Sequence, residues 1–249
     1  MNRFFLLLIY LLPVISFSQE KIILWNSSNI SVTEVTSDGK PSKYRWVITQ
    51  NKPKSIIIKD DISVNKYITH SWEEPGDFAV AAQMINEKNC VTEQIHVDYR
   101  IIEPEWSIIQ KRNLTQCSYI TPAKYGSPLP AKMLASATVD FVQIDLRYNC
   151  IPKGGYNIEV TFNDGKNNEK KTYKYASKVD VLSEQNYSLK LYAKDFVKTW
   201  TNKSGSGKDI TGNIVIKYTI KGKTKIAKPG AAISPFKVTI SPKPKIKFD

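Results

Sequence analysis

Apolar and polar residues alternate along most of this chain, and little of it carries a helical period. The alternation is clearest after Pro75-Gly76, where Phe78, Val80 and Ala82 fall on one side and Asp77, Ala79 and Ala81 on the other. That is the pattern of a half-buried strand. Pro75 fixes its own φ, and Gly76 can take the positive φ of a tight turn, so a turn is expected to feed the strand. Residues 44–48 form a second, aromatic strand, and Trp46 and Trp72 are expected inside a sandwich core. Each would bury roughly 150–250 Å². At about 25 cal/mol per Å² this is on the order of 4–6 kcal/mol apiece.

Seven strands are predicted up to residue 103, over 22–25, 30–35, 44–49, 55–59, 67–72, 78–86 and 91–102. Asp38-Gly39 and Asn51-Lys52-Pro53 supply turns between them. Seven strands spaced near ten residues predict an immunoglobulin-like sandwich. Beyond Pro104 the strands continue at 106–110, 135–149, 156–162, 171–175, 187–192, 213–221 and 236–240. Asp164-Gly165 is a strong hairpin signal between two of them. In 135–149, Val142, Ile144 and Leu146 line the buried face, with Phe141, Gln143, Asp145 and Arg147 on the other. Residues 194–200 allow one or two helical turns, with Phe196 and Trp200 four apart on one face. A proline-rich loop at 117–130 and an extended Pro/Lys tail at 241–249 complete the pattern. The expected fold is all-β, two β-sandwich domains in tandem over 19–103 and 104–249.

Residues 1–18 stand apart. A short basic start, Met1-Asn2-Arg3, precedes an apolar run interrupted by Pro13 and ending at small and polar residues. This is the pattern of a secretory signal peptide, and it is too short for a membrane span. The expected location is secreted: periplasm, cell surface or extracellular space. The three cysteines allow at most one internal disulfide. Loop entropy does not choose between them: about 3.6 kcal/mol for Cys90–Cys117 and about 3.8 for Cys117–Cys150. Cys117–Cys150 is the preferred pair, because both fall in one domain.

Charge separates the halves. The chain carries +13, yet residues 19–103 hold 10 Lys and Arg against 12 Asp and Glu, whereas 104–249 hold 25 against 11. A balance of −2 followed by +14 argues for two units and gives the second an affinity for anionic surfaces. Of its basic residues 23 are lysine. Base recognition favours arginine's fork, so nucleic acid is a poor fit. The densest stretch is Lys217, Lys221, Lys223 and Lys225, which share one parity and would share one face of a single strand. They form a candidate face for a polyanion or an acidic partner, or a charged edge that blocks unwanted pairing.

Tyr44-Arg45-Trp46, His70-Ser71-Trp72, Pro75-Gly76-Asp77-Phe78-Ala79-Val80 and Asn89-Cys90 together resemble the PKD family of bacterial surface β-sandwiches. The family's Gly-Asp-Gly-type turn is replaced here by Thr49-Gln50-Asn51-Lys52. The resemblance covers about 20–103 only. It implies a spacer or binding unit in adhesion, motility or secretion assemblies, and a structural position for His70.

Catalytic motifs are missing. The two histidines, His70 and His96, have neither a neighbouring nucleophile nor metal-ligand spacing. Ser204-Gly205-Ser206-Gly207-Lys208 fails as a phosphate loop, with Asn202 where the first glycine belongs and Asp209 where Ser or Thr belongs. Asp60-Asp61 is expected in a solvated loop. The chain therefore reads as a non-enzymatic interaction module of the cell envelope with no cofactor, and its partner is a protein or an anionic polysaccharide. The alternative is a carbohydrate-binding module using Trp106, Tyr125 and Trp200 as an aromatic platform.

Overall fold

A computed structural model describes residues 19–32, 41–117, 141–204, 206–230 and 235–242. The expectations for residues 1–18, the loop around Tyr125 and the end of the tail lie outside them. The chain forms two compact units: one ends at Ile101, and the other comprises Ile23–Asn26 and everything from Ile102 onward.

The first unit contains β1 (Glu20–Ile23), β2 (Ser27–Ser31), β3 (Pro41–Lys52), β4 (Ile56–Ser63), β5 (Tyr67–Ser71), β6 (Gly76–Asn86) and β7 (Ile95–Ile102). One sheet runs β1-β7-β6-β3-β4 and the other is the pair β2-β5. Both tryptophans are buried as expected, Trp46 from β3 and Trp72 just after β5. The Trp72 ring meets Phe78 at 5.0 Å and Tyr99 at 5.3 Å, and its N–H donates to Ser28 Oγ at 2.8 Å. The indole thus fills the core against Phe78 and Tyr99 of the other sheet, while its one polar atom is satisfied by Ser28 on the neighbouring strand of its own. Gly76 is required at φ +145°, because a Cβ there would lie 2.3 Å from the Lys52 carbonyl.

The second unit contains β8 (Glu105–Arg112), β9 (Thr115–Cys117), β10 (Phe141–Tyr148), β11 (Tyr156–Asn163), β12 (Asn168–Tyr175) and β13 (Gln185–Tyr192). It continues with a 3₁₀ turn (Ala193–Asp195), helix α1 (Val197–Trp200), β14 (Lys208–Ile220), β15 (Lys223–Ile226), β16 (Lys228–Pro229) and β17 (Phe236–Ser241). Its sheets run β13-β10-β8-β16 and β12-β11-β14-β17-β9, with β15 added to β14. Inward residues of β10 and β11 are almost fully excluded from solvent, among them Ile144, Leu146, Ile158 and Val160. The β11–β12 hairpin closes where expected, with Asp164 Oδ1 accepting the Lys166 and Asn167 backbone N–H groups.

The two strand orders are equivalent. In each unit the last long strand, its predecessor, and then the third and fourth strands of the repeating pattern lie side by side: β7-β6-β3-β4 and β17-β14-β11-β12. A strand from the start of each unit flanks the last one, β1 beside β7 and β9 beside β17. The remaining pair, β2-β5 or β10-β13, builds the opposing sheet. This is immunoglobulin-like connectivity, used twice.

Candidate interaction surfaces

The lysine row does not lie on one strand. β14 ends at Ile220 and β15 begins at Lys223, and between them Lys221 and Gly222 both take positive φ, +50° and +73°. Two consecutive left-handed residues make a tight hairpin turn. The turn folds the chain back, so parity along the sequence ceases to report the face. Tyr218 now stands opposite Lys225, and Ile220 opposite Lys223, whereas Lys217 stands opposite Ile226. Residues opposite each other share a face, so Lys217 lies on the other side from Lys223 and Lys225. Lys217 is also engaged: Glu159 accepts it at 2.9 Å and Lys170 at 2.6 Å. These two ion pairs hold the Glu159 carboxyl below its usual pKa. Lys225 is half-buried against Trp25, which leaves Lys221 and Lys223 exposed at the hairpin tip.

The expected aromatic platform does not form. Trp106 projects inward from β8, opposite Tyr148, and Trp200 is fully buried on α1, with Phe162 5.3 Å and Phe196 6.2 Å away. Both are core residues, since an indole at an inward position gains more by burial than by lying on the surface. Tyr125 lies outside the described residues. Cys150 is a buried thiol, and burial pushes its pKa up to about 12; the side chain of Cys117, its expected partner, lies outside the described residues. Asp60 and Asp61 sit on β4 rather than in a loop, and Asp60 accepts a two-pronged contact from Arg45.

A different aromatic pair is half-exposed. Phe141 on β10 stands opposite Tyr192 on β13, with ring centroids 5.7 Å apart. Lys190 Nζ lies 4.9 Å over Phe141, and Lys194 Nζ lies 5.4 Å over Tyr192. Along the same outward face Asp145 accepts Ser188 at 2.6 Å and Gln143 at 2.9 Å, with Arg112 3.3 Å away. Those hydrogen bonds and the nearby guanidinium lower its pKa. The alternation already grouped Phe141, Gln143 and Asp145 on one face. The β13 half of the surface required the pairing register.

Lys208, the lysine of the Gly/Ser-rich stretch, serves the fold. Its ammonium donates to Asp164 Oδ2 at 2.6 Å and to the Thr199 and Thr201 carbonyls at 2.9 and 3.0 Å. A cleft of about 400 Å³ in the first unit is lined by Ile58, His70, Trp72, Glu73, Glu74 and Phe78. His70 packs edge-on to Trp72 at 4.6 Å, and burial followed by the Lys59 charge lowers its pKa. Ser71 also lines the cleft, and its hydroxyl lies 3.1 Å from that of Ser27 on β2. Among the described residues no group of three His, Cys, Asp or Glu gathers to hold a metal ion. None of their helices is long and apolar enough to cross a membrane.

Strand order and paired sheets thus define both units as immunoglobulin-like β-sandwiches. No protein-family model and no curated protein matches the chain. Among solved structures it is similar to the fibronectin(III)-like modules of Clostridium thermocellum CbhA, at 13% identity over 90% of both chains and a TM-score of 0.27. A two-domain fibronectin type III segment from chicken tenascin matches at 9% identity, over 88% of this chain and 93% of that one, with a TM-score of 0.27. A tetra-tandem repeat in the extending region of a large adhesion protein matches at 9% identity, over 82% of this chain and 42% of that one, again with a TM-score of 0.27. Likenesses this distant carry no argument about activity.

Proposed function

We propose that the chain is a secreted, non-enzymatic interaction module of the cell envelope, whose basic second unit docks on an anionic partner. The observation that carries this reading is the β14–β15 hairpin tip, where Lys221 and Lys223 are exposed in a segment of balance +14. Exposed lysines on a paired two-stranded hairpin present charge from a backbone already ordered by its ladder. The signal-like pattern of residues 1–18 supports export. The Tyr-x-Trp strand and Pro-Gly turn, with Trp46 and Trp72 in the core, support a PKD-like spacer as the first unit. Retention on envelope fractions and on an anionic polysaccharide across a salt series tests the reading. Wild type should be retained at low salt and released as the Debye length shrinks from about 30 Å at 0.01 M to about 8 Å at 0.15 M. The K221E/K223E variant should elute early throughout, and equal retention of both proteins would overturn the proposal.

A second reading, a carbohydrate-binding module, is favoured by Phe141 and Tyr192 with the Asp145, Gln143 and Arg112 cluster beside them. Aromatic faces stack on sugar C–H groups while flanking polar groups take the hydroxyls. F141A/Y192A should then abolish retention on a neutral polysaccharide, which the lysine reversals would leave unchanged.

A further inference from the structure

Strand β4 stands at the edge of the first unit's five-stranded sheet, and among the described residues it pairs only with β3. It carries an unusual load for an edge: Ile56, Ile57, Ile58 and Ile62 are 44, 66, 42 and 56% exposed. A row of unpaired backbone groups flanked by exposed β-branched residues is a template for another strand. Three charges, Lys59, Asp60 and Asp61, interrupt it. We propose that β4 pairs antiparallel with β4 of a second copy of this chain, about a two-fold axis through Asp60. This concerns a surface separate from the hairpin tip and does not depend on the reading above.

The register follows from parity and charge. Across β3–β4, Lys59 and Asp61 lie on the face of Ile48 and Trp46, and Asp60 and Ile62 on that of Val47 and Arg45. Two copies of one strand keep their faces aligned only if partners have the same parity, which places the two-fold axis on a residue. An axis on Asp60 sets Lys59 opposite Asp61 of the second copy, twice, and brings the bulged Ile58 towards Ile62. An axis on Lys59 stacks two lysines and sets Asp60 opposite Ile58, whereas an axis on Asp61 stacks two aspartates and sets Asp60 opposite Ile62. Of the three, only the axis on Asp60 sets Lys59 opposite Asp61. The two Asp60 carboxylates then meet already held by Arg45, at 2.9 Å from Nε and 2.7 Å from Nη2. Within one chain Lys59 and Asp61 are 3.5 Å apart, so pairing exchanges a same-strand contact for a cross-strand one. Charges on an edge ordinarily repel foreign strands by burying them unpaired. Here the same charges exclude an apolar strand and admit a second β4, which is specificity by mismatch.

The ladder is short. The register shift between Ile48 and Thr49 leaves Ile58 as a bulge, and the regular part of β4 runs from Lys59 to Ser63. The dimer is accordingly weak and concentration-dependent. Sedimentation velocity of the full chain over a concentration series tests it. Wild type should shift from monomer to dimer as concentration rises. K59E, which sets a second carboxylate against Asp61, should stay monomeric, and K59E/D61K, which restores the opposite pair in reverse, should regain the dimer. Register is read separately by D60C in a C90S background, which removes the exposed thiol at Cys90. Mild oxidation should then yield a covalent dimer, because directly opposite Cβ atoms lie about 4.5–5.5 Å apart. A wild type that stays monomeric, a K59E that still dimerises, a swap that fails to rescue, or a D60C that does not cross-link would each overturn the proposal.

Discussion

The Lys225 ammonium lies 3.9 Å from the centroid of the Trp25 ring. Trp25 belongs to the short segment Ile23–Asn26 that joins the second unit, and it holds φ at +73°, a conformation that bulky side chains rarely adopt. One lysine of the basic row is therefore a packing group, and its charge stands over an aromatic face. Replacing Lys225 by Met keeps the aliphatic stem and removes the cation, which is expected to cost about 0.5–1 kcal/mol. Lys223→Met, exposed at the hairpin tip, should change stability by less than about 0.5 kcal/mol. Urea midpoints of the two variants check the difference.

Trp46 is almost completely excluded from solvent, and its N–H reaches the Asn65 carbonyl at 3.4 Å. Trp46→Ala should destabilise the first unit by about 3–5 kcal/mol, and Trp46→Phe by less, because the ring refills most of the space. Chemical denaturation followed by near-ultraviolet circular dichroism should record both losses. Wild-type stability in the alanine variant would remove Trp46 from the core.

Asp164 makes an acid-sensitive contact in the second unit. Burial pushes its pKa up, but hydrogen bonds from Lys208, the Asn167 side chain and two backbone N–H groups outweigh that and hold it well below the usual carboxylate range. A folded-state pKa below the unfolded value means the contribution is intact above about pH 4 and is lost as pH falls further. Asp164→Asn should therefore be less stable than wild type at neutral pH by about 1–3 kcal/mol. The two denaturation midpoints should converge as the solution is acidified towards about pH 2.

Cys150 and Cys90 should differ in reactivity. The Cys150 thiol is buried, with its pKa raised, and Tyr156 closes over it by donating to the Cys150 carbonyl at 2.7 Å. Cys90 is exposed. Alkylation of the native protein at about pH 8 should label Cys90 and spare Cys150, because only the thiolate attacks. Adding denaturant should expose Cys150, and peptide mass spectrometry reads both sites. Rapid native labelling of Cys150 would show that the core around it opens.

Much of the fold was legible in the pattern of side chains. Alternation placed the strands that carry Ile48, Val80, Leu146 and Val160 and named the inward faces of those with Val80 and Leu146, because the two-residue period of a strand is written directly into the sequence. Asp164-Gly165 located a hairpin for the same reason: turn geometry is a local property of one or two residues. The short strands Thr115–Cys117 and Lys228–Pro229 escaped notice, since each is held by a partner strand and shows no period of its own.

The surfaces were decided elsewhere. Lys217 and Lys223 share parity in the sequence yet lie on opposite faces, because the turn at Lys221-Gly222 reverses the chain between them. Trp106 and Trp200 carry the chemistry of an exposed platform, but the two sheets close over them, while Phe141 and Tyr192 meet at half-exposed positions only because β10 and β13 pair in that register. Composition alone supplied the basic character of the second half. Which of its charges remain exposed depended on contacts between residues far apart in the chain, such as Lys208 with Asp164 and Lys225 with Trp25. A period along one strand reports a face, whereas burial and pairing depend on what the rest of the chain brings to that face.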